Sequence, residues 1–154
     1  MSKSLKRVTR ALIEAGHSGE VLETALARTA LDAATAIGCD VDQIAKSIIF
    51  ADADGCAVLF LTAGSNRVDT DKAAKLAGCA LGKADAGLIR AQTGFAIGGV
   101  SPVGHVSPIR AWMDPRLLDF ARIWAAAGTP HHVFEIEPTA LAAISKSQVA
   151  DFKV

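Results

Sequence analysis

Tyrosine is absent from this 154-residue sequence, and only 5% of the residues are aromatic. A core built from this chain must therefore consist mainly of Ala, Val, Ile and Leu side chains. Lysine and arginine together number 16, as do aspartate and glutamate, so the formal net charge is zero. Such a chain cannot hold nucleic acid by bulk electrostatics, and any contact of that kind must be local or shared with a partner.

Cysteine is also scarce. Cys39, Cys56 and Cys79 have spacings that match no metal-binding or redox pair, which indicates free thiols in a reducing compartment. No apolar run approaches the ~18 residues that a membrane-spanning helix needs, and the first residues begin a charged amphipathic segment rather than a signal peptide. We therefore expect a cytoplasmic protein that does not enter a membrane.

The sequence also lacks several motifs that would indicate a particular type of reaction or cofactor. The chain has no G-x-x-x-x-G-K-[ST] phosphate loop, no G-x-G-x-x-G fingerprint and no H-E-x-x-H zinc motif. His131 and His132 are adjacent, so on a strand they would point to opposite faces and would not share one metal ion. No Ser-His-Asp or Cys-His set is apparent. We predict neither a metal site nor a cofactor.

The clearest local structure is a hairpin. Two apolar runs, 45–51 and 56–62, flank Asp54-Gly55, and an Asp-Gly pair between such runs is a strong hairpin signal. Elsewhere helices are expected at 3–15, 30–37, 69–77, 84–92 and 138–145, and strands at 20–26, 79–81, 106–112, 121–126, 132–136 and 148–153. Leu31, Ala34 and Ile37 are expected to form the buried face of the second helix. The pattern predicts one α+β domain over residues 1–154, with a curved, barrel-like mixed or antiparallel sheet flanked by short helices.

The first helix, within residues 1–16, is amphipathic and is expected to pack on this domain. Leu5, Val8 and Leu12 form its apolar face. A second face is basic and consists of Lys3, Lys6, Arg7 and Arg10. This basic stripe is either the solvated side of a packed helix or a contact for a phosphate backbone, and the sequence leaves both open.

Two features are candidates for a functional site. Residues 93–105 contain four glycines and Pro102, a composition that shapes a stiff loop able to aim backbone N–H groups at an oxygen-rich ligand. Lys46 lies near the start of an otherwise apolar strand, where its amine must either reach water at the sheet edge or meet an anion. Each feature also has a plain structural explanation, as a tight crossover and as a strand-end lysine.

The order of these two features resembles the YbaK/ProX family, the free-standing relatives of the editing domain of bacterial prolyl-tRNA synthetase. The resemblance runs from about residue 17 to the end. It rests on the lysine strand at 45–50, a second strand, a short helix containing Lys72, and the G-G-V-S-P-V-G loop at 98–104. An Asp-Pro helix start and a Glu-Pro-Thr helix complete the matching tail.

The resemblance implies a trans-editing hydrolase that deacylates mischarged tRNA, most simply tRNA-Pro carrying Ala, Cys or another small amino acid. It implies substrate assistance instead of a protein general base, no cofactor, and prolyl-tRNA synthetase as a possible partner. On this basis Lys46, Gly98 and Gly99 are predicted to be catalytic. The predicted substrate-binding residues are Ile48, Phe50, Val100, Ser101, Pro102, Gly104 and His105.

Two other functions stay open at this level. The same fold without turnover would be a binding module for a tRNA 3′ end or a nucleotide. A buried, neutral Lys46 would instead suit an enzyme that forms a Schiff base.

Overall fold

The computed structural model describes residues 2–154. Its helices are α1 (Lys3–Glu14), α2 (Ala30–Ile37), α3 (Thr70–Ala77), α4 (Ala86–Thr93) and α5 (Pro138–Ser145). Its strands are β1 (Leu22–Glu23), β2 (Ile44–Ala51), β3 (Ala57–Ala63), β4 (Gly82–Lys83), β5 (Arg110–Met113), β6 (Ile123–Ala126), β7 (His132–Ile136) and β8 (Ser147–Val149). Short 3₁₀ turns span Val41–Gln43 and Pro115–Asp119.

The strands form one mixed sheet in the order β1-β7-β6-β2-β3-β5-β8, with β4 added to β2. The pairs β2–β3 and β6–β7 are antiparallel, whereas β2–β6, β3–β5 and β5–β8 are parallel. The predicted α+β class with a mixed sheet is therefore confirmed. Within residues 2–154 the end strands β1 and β8 do not pair with each other, so the sheet is open and does not close into a barrel.

The predicted hairpin at the centre of this sheet is present. Strands β2 and β3 pair from Ala45↔Ala63 to Ala51↔Ala57. Gly55 takes a positive φ of 76° at the turn, a conformation that glycine adopts without strain. The carboxylate of Asp52 accepts hydrogen bonds from the backbone N–H groups of Asp54 and Cys56. Local turn chemistry thus fixes the register of the two central strands.

Strand β3 is buried on both faces, and each face carries its own core. On one face Leu59 and Leu61 pack in the large cluster that includes Leu5, Val8 and Leu12 of α1. On the other face Phe60 stacks on Trp112, with ring centroids 4.9 Å apart, in the cluster that also contains Ala73 of α3. Helices α1 and α3 therefore lie on opposite sides of the sheet.

The helices begin and end within two residues of the predicted bounds, but one buried face differs from the prediction. In α2, Thr29 accepts a hydrogen bond from the backbone N–H of Asp32, and Gly38 ends the helix with a positive φ. Leu31, predicted to be buried, is 63% exposed, because the helix turns Ala33 and Ala34 toward Ile44. None of the helices in residues 2–154 is long and apolar enough to span a bilayer.

Candidate functional site

A gap in the sheet lies along one edge of β2. On the side away from β3, Ile44 and Ala45 pair with β6, and Phe50 and Ala51 pair with β4. Between these pairings, residues 46–49 have no strand partner on that side within the described chain. The backbone of β2 is therefore open there to a ligand.

A cavity of about 300 Å³ occupies this gap. Its walls come from β2, β6, the start of α2 and the segment before it, α4, the turn at 129–130, the first residues of β7 and the loop at 97–100. Most of the lining is apolar. The polar side chains in the lining are those of Arg28, Thr29, Lys46, Ser47, Thr129 and His132. An apolar cavity with a few polar groups is typical of a small-molecule site, and its volume is at the low end of the ~300–1,000 Å³ that such sites have.

Lys46 and the glycine loop, residues 93–105, both contribute to this cavity, since Lys46, Gly98 and Val100 line it. Lys46 alternates with Ser47 and Ile49 along β2, so its side chain leaves the strand on the opposite face from theirs. The Lys46 amine donates a hydrogen bond to the backbone carbonyl of Asn66, with Nζ and O 2.7 Å apart. Burial, followed by the positive charge of Arg67, lowers the pKa of Lys46 from its ordinary value. The amine is therefore held by the protein and does not simply extend into solvent.

A buried carboxylate fixes the segment that holds this amine. Asp114 is only 1% exposed, and its Oδ2 accepts hydrogen bonds from Nδ2 of Asn66 at 2.8 Å and from the backbone N–H of Ala63 at 3.1 Å. Its Oδ1 accepts from the backbone N–H of Arg116. Asp114 thus positions Asn66, and Asn66 positions the Lys46 amine.

The two neighbouring glycines of the loop have different structural requirements. Gly98 has φ of 93°, in the left-handed region that side chains disfavour. Gly99 has no such φ, but a Cβ built on it would lie 2.8 Å from the Cα of Thr129. The loop at 97–100 is therefore packed directly on the backbone of the turn at 128–130, and both segments line the cavity.

Gly99, predicted to be catalytic, lies outside the cavity lining, as do the predicted substrate-binding residues Ser101, Pro102, Gly104 and His105. Ser101 is fully buried, and its carbonyl accepts a hydrogen bond from Nε2 of His105 at 2.7 Å. Burial lowers the pKa of His105 from its ordinary value. A Cβ on Gly104 would lie 3.1 Å from the carbonyl oxygen of Arg7. The contacts of Ser101, Gly104 and His105 therefore support the loop without lining the cavity.

Ile48 and Phe50, predicted as pocket walls, also lie elsewhere. Both pack in the cluster on the other face of β2, where the Phe50 ring meets Phe60 edge-on at 5.8 Å. Successive residues of a strand point to opposite faces, so Ser47 and Ile49 line the cavity in their place. The sequence did not distinguish the two faces of β2, because Ile48 and Phe50 on one face and Ile49 on the other are all large apolar residues.

Sequence reasoning missed five of the six polar side chains in the lining: Arg28, Thr29, Ser47, Thr129 and His132. Ser47 Oγ is buried and has no hydrogen-bond partner within residues 2–154, which leaves its hydroxyl free for a ligand. His132 forms a 2.6 Å hydrogen bond through Nδ1 to Thr129 Oγ1. The turn that begins at Gly128 and leads into β7 was the feature of the sequence that could have indicated a role for His132. Within the described residues no group of His, Cys, Asp or Glu side chains is arranged to hold a metal ion.

Comparison with known proteins identifies the family. The family model for the aminoacyl-tRNA editing domain matches residues 24–144. A Bacillus subtilis (strain 168) protein, the uncharacterized protein YwhH, is 28% identical over 147 residues, which cover 95% of this chain and 94% of that protein.

Solved structures agree over the whole chain. A crystal structure described as that of a candidate trans-editing enzyme for prolyl tRNA synthetase is 45% identical, with a TM-score of 0.93. The match covers 100% of this chain and 99% of that one. The crystal structure of hypothetical protein APE2540 is 26% identical with a TM-score of 0.87, over 96% of this chain and 99% of that one.

Proposed function

The chain belongs to the family of aminoacyl-tRNA editing domains, as the resemblance to YbaK/ProX proteins predicted, and we propose that it is a deacylase that hydrolyses mischarged aminoacyl-tRNA in trans. The observation that carries this proposal is the cavity at the gap in the sheet. Lys46 of β2 and the glycine loop, which are distant in sequence, line it together.

The reaction is the hydrolysis of an ester. Water adds to the aminoacyl carbonyl carbon, and the bond from that carbon to the ribose oxygen then breaks. The free amino acid leaves as a carboxylate, the tRNA regains its 3′-terminal hydroxyl, and the second proton of water goes to solvent. An ester is already an activated acyl group, so positioning and charge stabilisation supply much of the required rate.

Lys46 is the residue proposed to hold the negatively charged end of the substrate. An ammonium has three N–H donors, and the Asn66 carbonyl uses one of them. Two donors remain for the phosphate of the terminal adenosine or for the oxyanion that develops on the aminoacyl carbonyl oxygen. Ser47, with its unpartnered hydroxyl, is proposed to bind the aminoacyl group beside it.

A small aminoacyl group such as that of Ala or Cys fits within the cavity volume of about 300 Å³. Apolar side chains including Ile49, Val100 and Trp124 line it and suit an uncharged aminoacyl side chain. Each methylene is worth only ~1–3 kcal/mol in an apolar pocket, so selectivity among small amino acids depends on the details of these walls. The neighbour described for prolyl tRNA synthetase supports tRNA-Pro as the substrate and that synthetase as a partner.

The proposal is tested by measuring deacylation of tRNA-Pro charged with Ala, Ser, Cys or Pro, with spontaneous hydrolysis subtracted. We expect turnover of at least one small mischarged amino acid and sparing of the cognate prolyl ester. Tight binding of the charged tRNAs without hydrolysis of any of them would instead establish the non-catalytic binding module.

A further inference from the structure

The basic stripe on α1 is not explained by the cavity. This helix carries four basic residues and one acidic residue, Glu14. Lys3, Lys6 and Arg10 are exposed, and none of the ion pairs formed within residues 2–154 involves them. The apolar face of α1 is buried by Leu5, Val8 and Leu12, so the stripe points away from the core. It is a local positive surface on a chain without net charge.

Helix α1 lies against both segments that form the loop side of the cavity. The guanidinium of Arg7 donates to the carbonyl of Gly94 at 3.3 Å and stacks over the Phe95 ring, 5.2 Å from its centroid. A Cβ on Gly128 would lie 2.9 Å from the Ser4 carbonyl oxygen, and Gly128 directly precedes Thr129 and Pro130, which line the cavity. The stripe is therefore held at a fixed position beside the proposed site.

We propose that Lys3, Lys6 and Arg10 bind the phosphate backbone of the RNA that adjoins the ester-bearing 3′ end. This inference rests on the proposed function, since it takes the substrate to be a charged tRNA. The cavity has room for the aminoacyl end and not for the RNA helix behind it. Phosphates of that helix must pass over the surface near the cavity, and unpaired Lys and Arg side chains are the groups that bind them.

The test compares two double charge reversals. Lys6→Glu/Arg10→Glu changes the stripe, and Lys75→Glu/Lys153→Glu is the matched control. Lys75 and Lys153 are also exposed and unpaired within the described residues, and α3, which carries Lys75, packs on the opposite side of the sheet. For each protein kcat/KM is measured on alanyl-tRNA-Pro between 25 and 200 mM salt, and on alanyl-adenosine, which has no phosphate backbone.

We expect the stripe variant to lose about tenfold or more in kcat/KM on alanyl-tRNA at low salt. The plot of log kcat/KM against log salt has a negative slope, and the magnitude of this slope should decrease by about 1.5, because two phosphate contacts are lost at ~0.7–0.9 each. Hydrolysis of alanyl-adenosine should be unchanged, which also shows that the variant is folded. The charge-preserving Lys6→Arg/Arg10→Lys variant should behave like the wild type on both substrates.

Two failures are distinguishable. If the stripe and control variants lose the same activity on alanyl-tRNA, or neither loses any, the stripe does not bind RNA and this inference is wrong. If the wild-type protein hydrolyses neither substrate, the proposed function is wrong.

Discussion

Replacing Gly99 by alanine tests how the cavity is built. A Cβ at this position would lie 2.8 Å from Cα of Thr129 and 3.0 Å from its N and C atoms. All three contacts are with backbone, so no side-chain rotation relieves them, and the loop and the turn at 128–130 must move apart by several tenths of an ångström. Overpacking of this kind costs ~1–3 kcal/mol in the free energy of unfolding.

The same displacement should lower activity. Gly98 and Thr129 line the cavity from the two segments that would separate. Misplacement of a substrate by ~1 Å costs about a hundredfold in rate, so a shift of about half that size should cost about tenfold in kcat/KM.

Urea unfolding and deacylation assays on Gly99→Ala measure both effects. Gly82→Ala is the control, because a Cβ there meets nothing within 4 Å and its φ is not positive. The control should match the wild type in stability and activity. A Gly99→Ala protein as stable and active as wild type would show that the loop and the turn are not packed as described.

Three further predictions concern single side chains. Gly98→Ala should lower stability by ~1–2 kcal/mol through its left-handed φ alone, measured by urea unfolding, since the nearest atom to its Cβ is 3.9 Å away on Pro130. Ser47→Ala should leave thermal stability unchanged or raised, because its hydroxyl has no partner within residues 2–154, and should lower kcat/KM several-fold; a loss of stability with full activity would contradict its proposed role. His105→Gln should flatten the pH dependence of unfolding. Burial lowers the pKa of this imidazole, so the unfolded chain binds a proton at His105 near pH 6.5, whereas the folded chain binds it only at lower pH. The wild-type protein therefore loses stability as the pH falls below about 6.5. An equal loss of stability in the variant would contradict this.

The parts of the fold that the sequence predicts well are local. The hairpin of β2 and β3 follows from one Asp-Gly turn, and the helix starts follow from capping side chains such as Thr29 and Asp69. Each of these signals acts within a few residues, so no knowledge of the rest of the chain is needed.

The parts that it predicts poorly depend on contacts between distant segments. The strand expected at 20–26 is only Leu22–Glu23, because its pairing is limited to two residues of β7. Which face of β2 borders the cavity depends on where β6 and the glycine loop dock, so the choice of Ile48 over Ser47 had no local basis. The role of Asn66 depends on the buried Asp114, which is 48 residues away in sequence.

The glycine loop illustrates both cases. Its composition correctly indicated a shaped backbone segment, and Gly98 and Val100 line the cavity together with Lys46. The composition did not reveal that Gly104 accommodates helix α1 or that His105 bonds to the Ser101 carbonyl. Through those contacts the second half of the loop, residues 101–105, supports the first half, which lines the cavity.

The most direct test of the central claim is the deacylation rate of alanyl-tRNA-Pro with Lys46→Ala, with Lys75→Ala, an exposed lysine of α3 outside the cavity lining, as the control. If the cavity beside β2 is where the ester is hydrolysed, Lys46→Ala should lose about a hundredfold in kcat/KM, as removal of one charge-stabilising donor does elsewhere, and Lys75→Ala should lose nothing. A Lys46→Ala protein that deacylates as fast as the wild type would remove this amine, and with it the proposed site, from the mechanism.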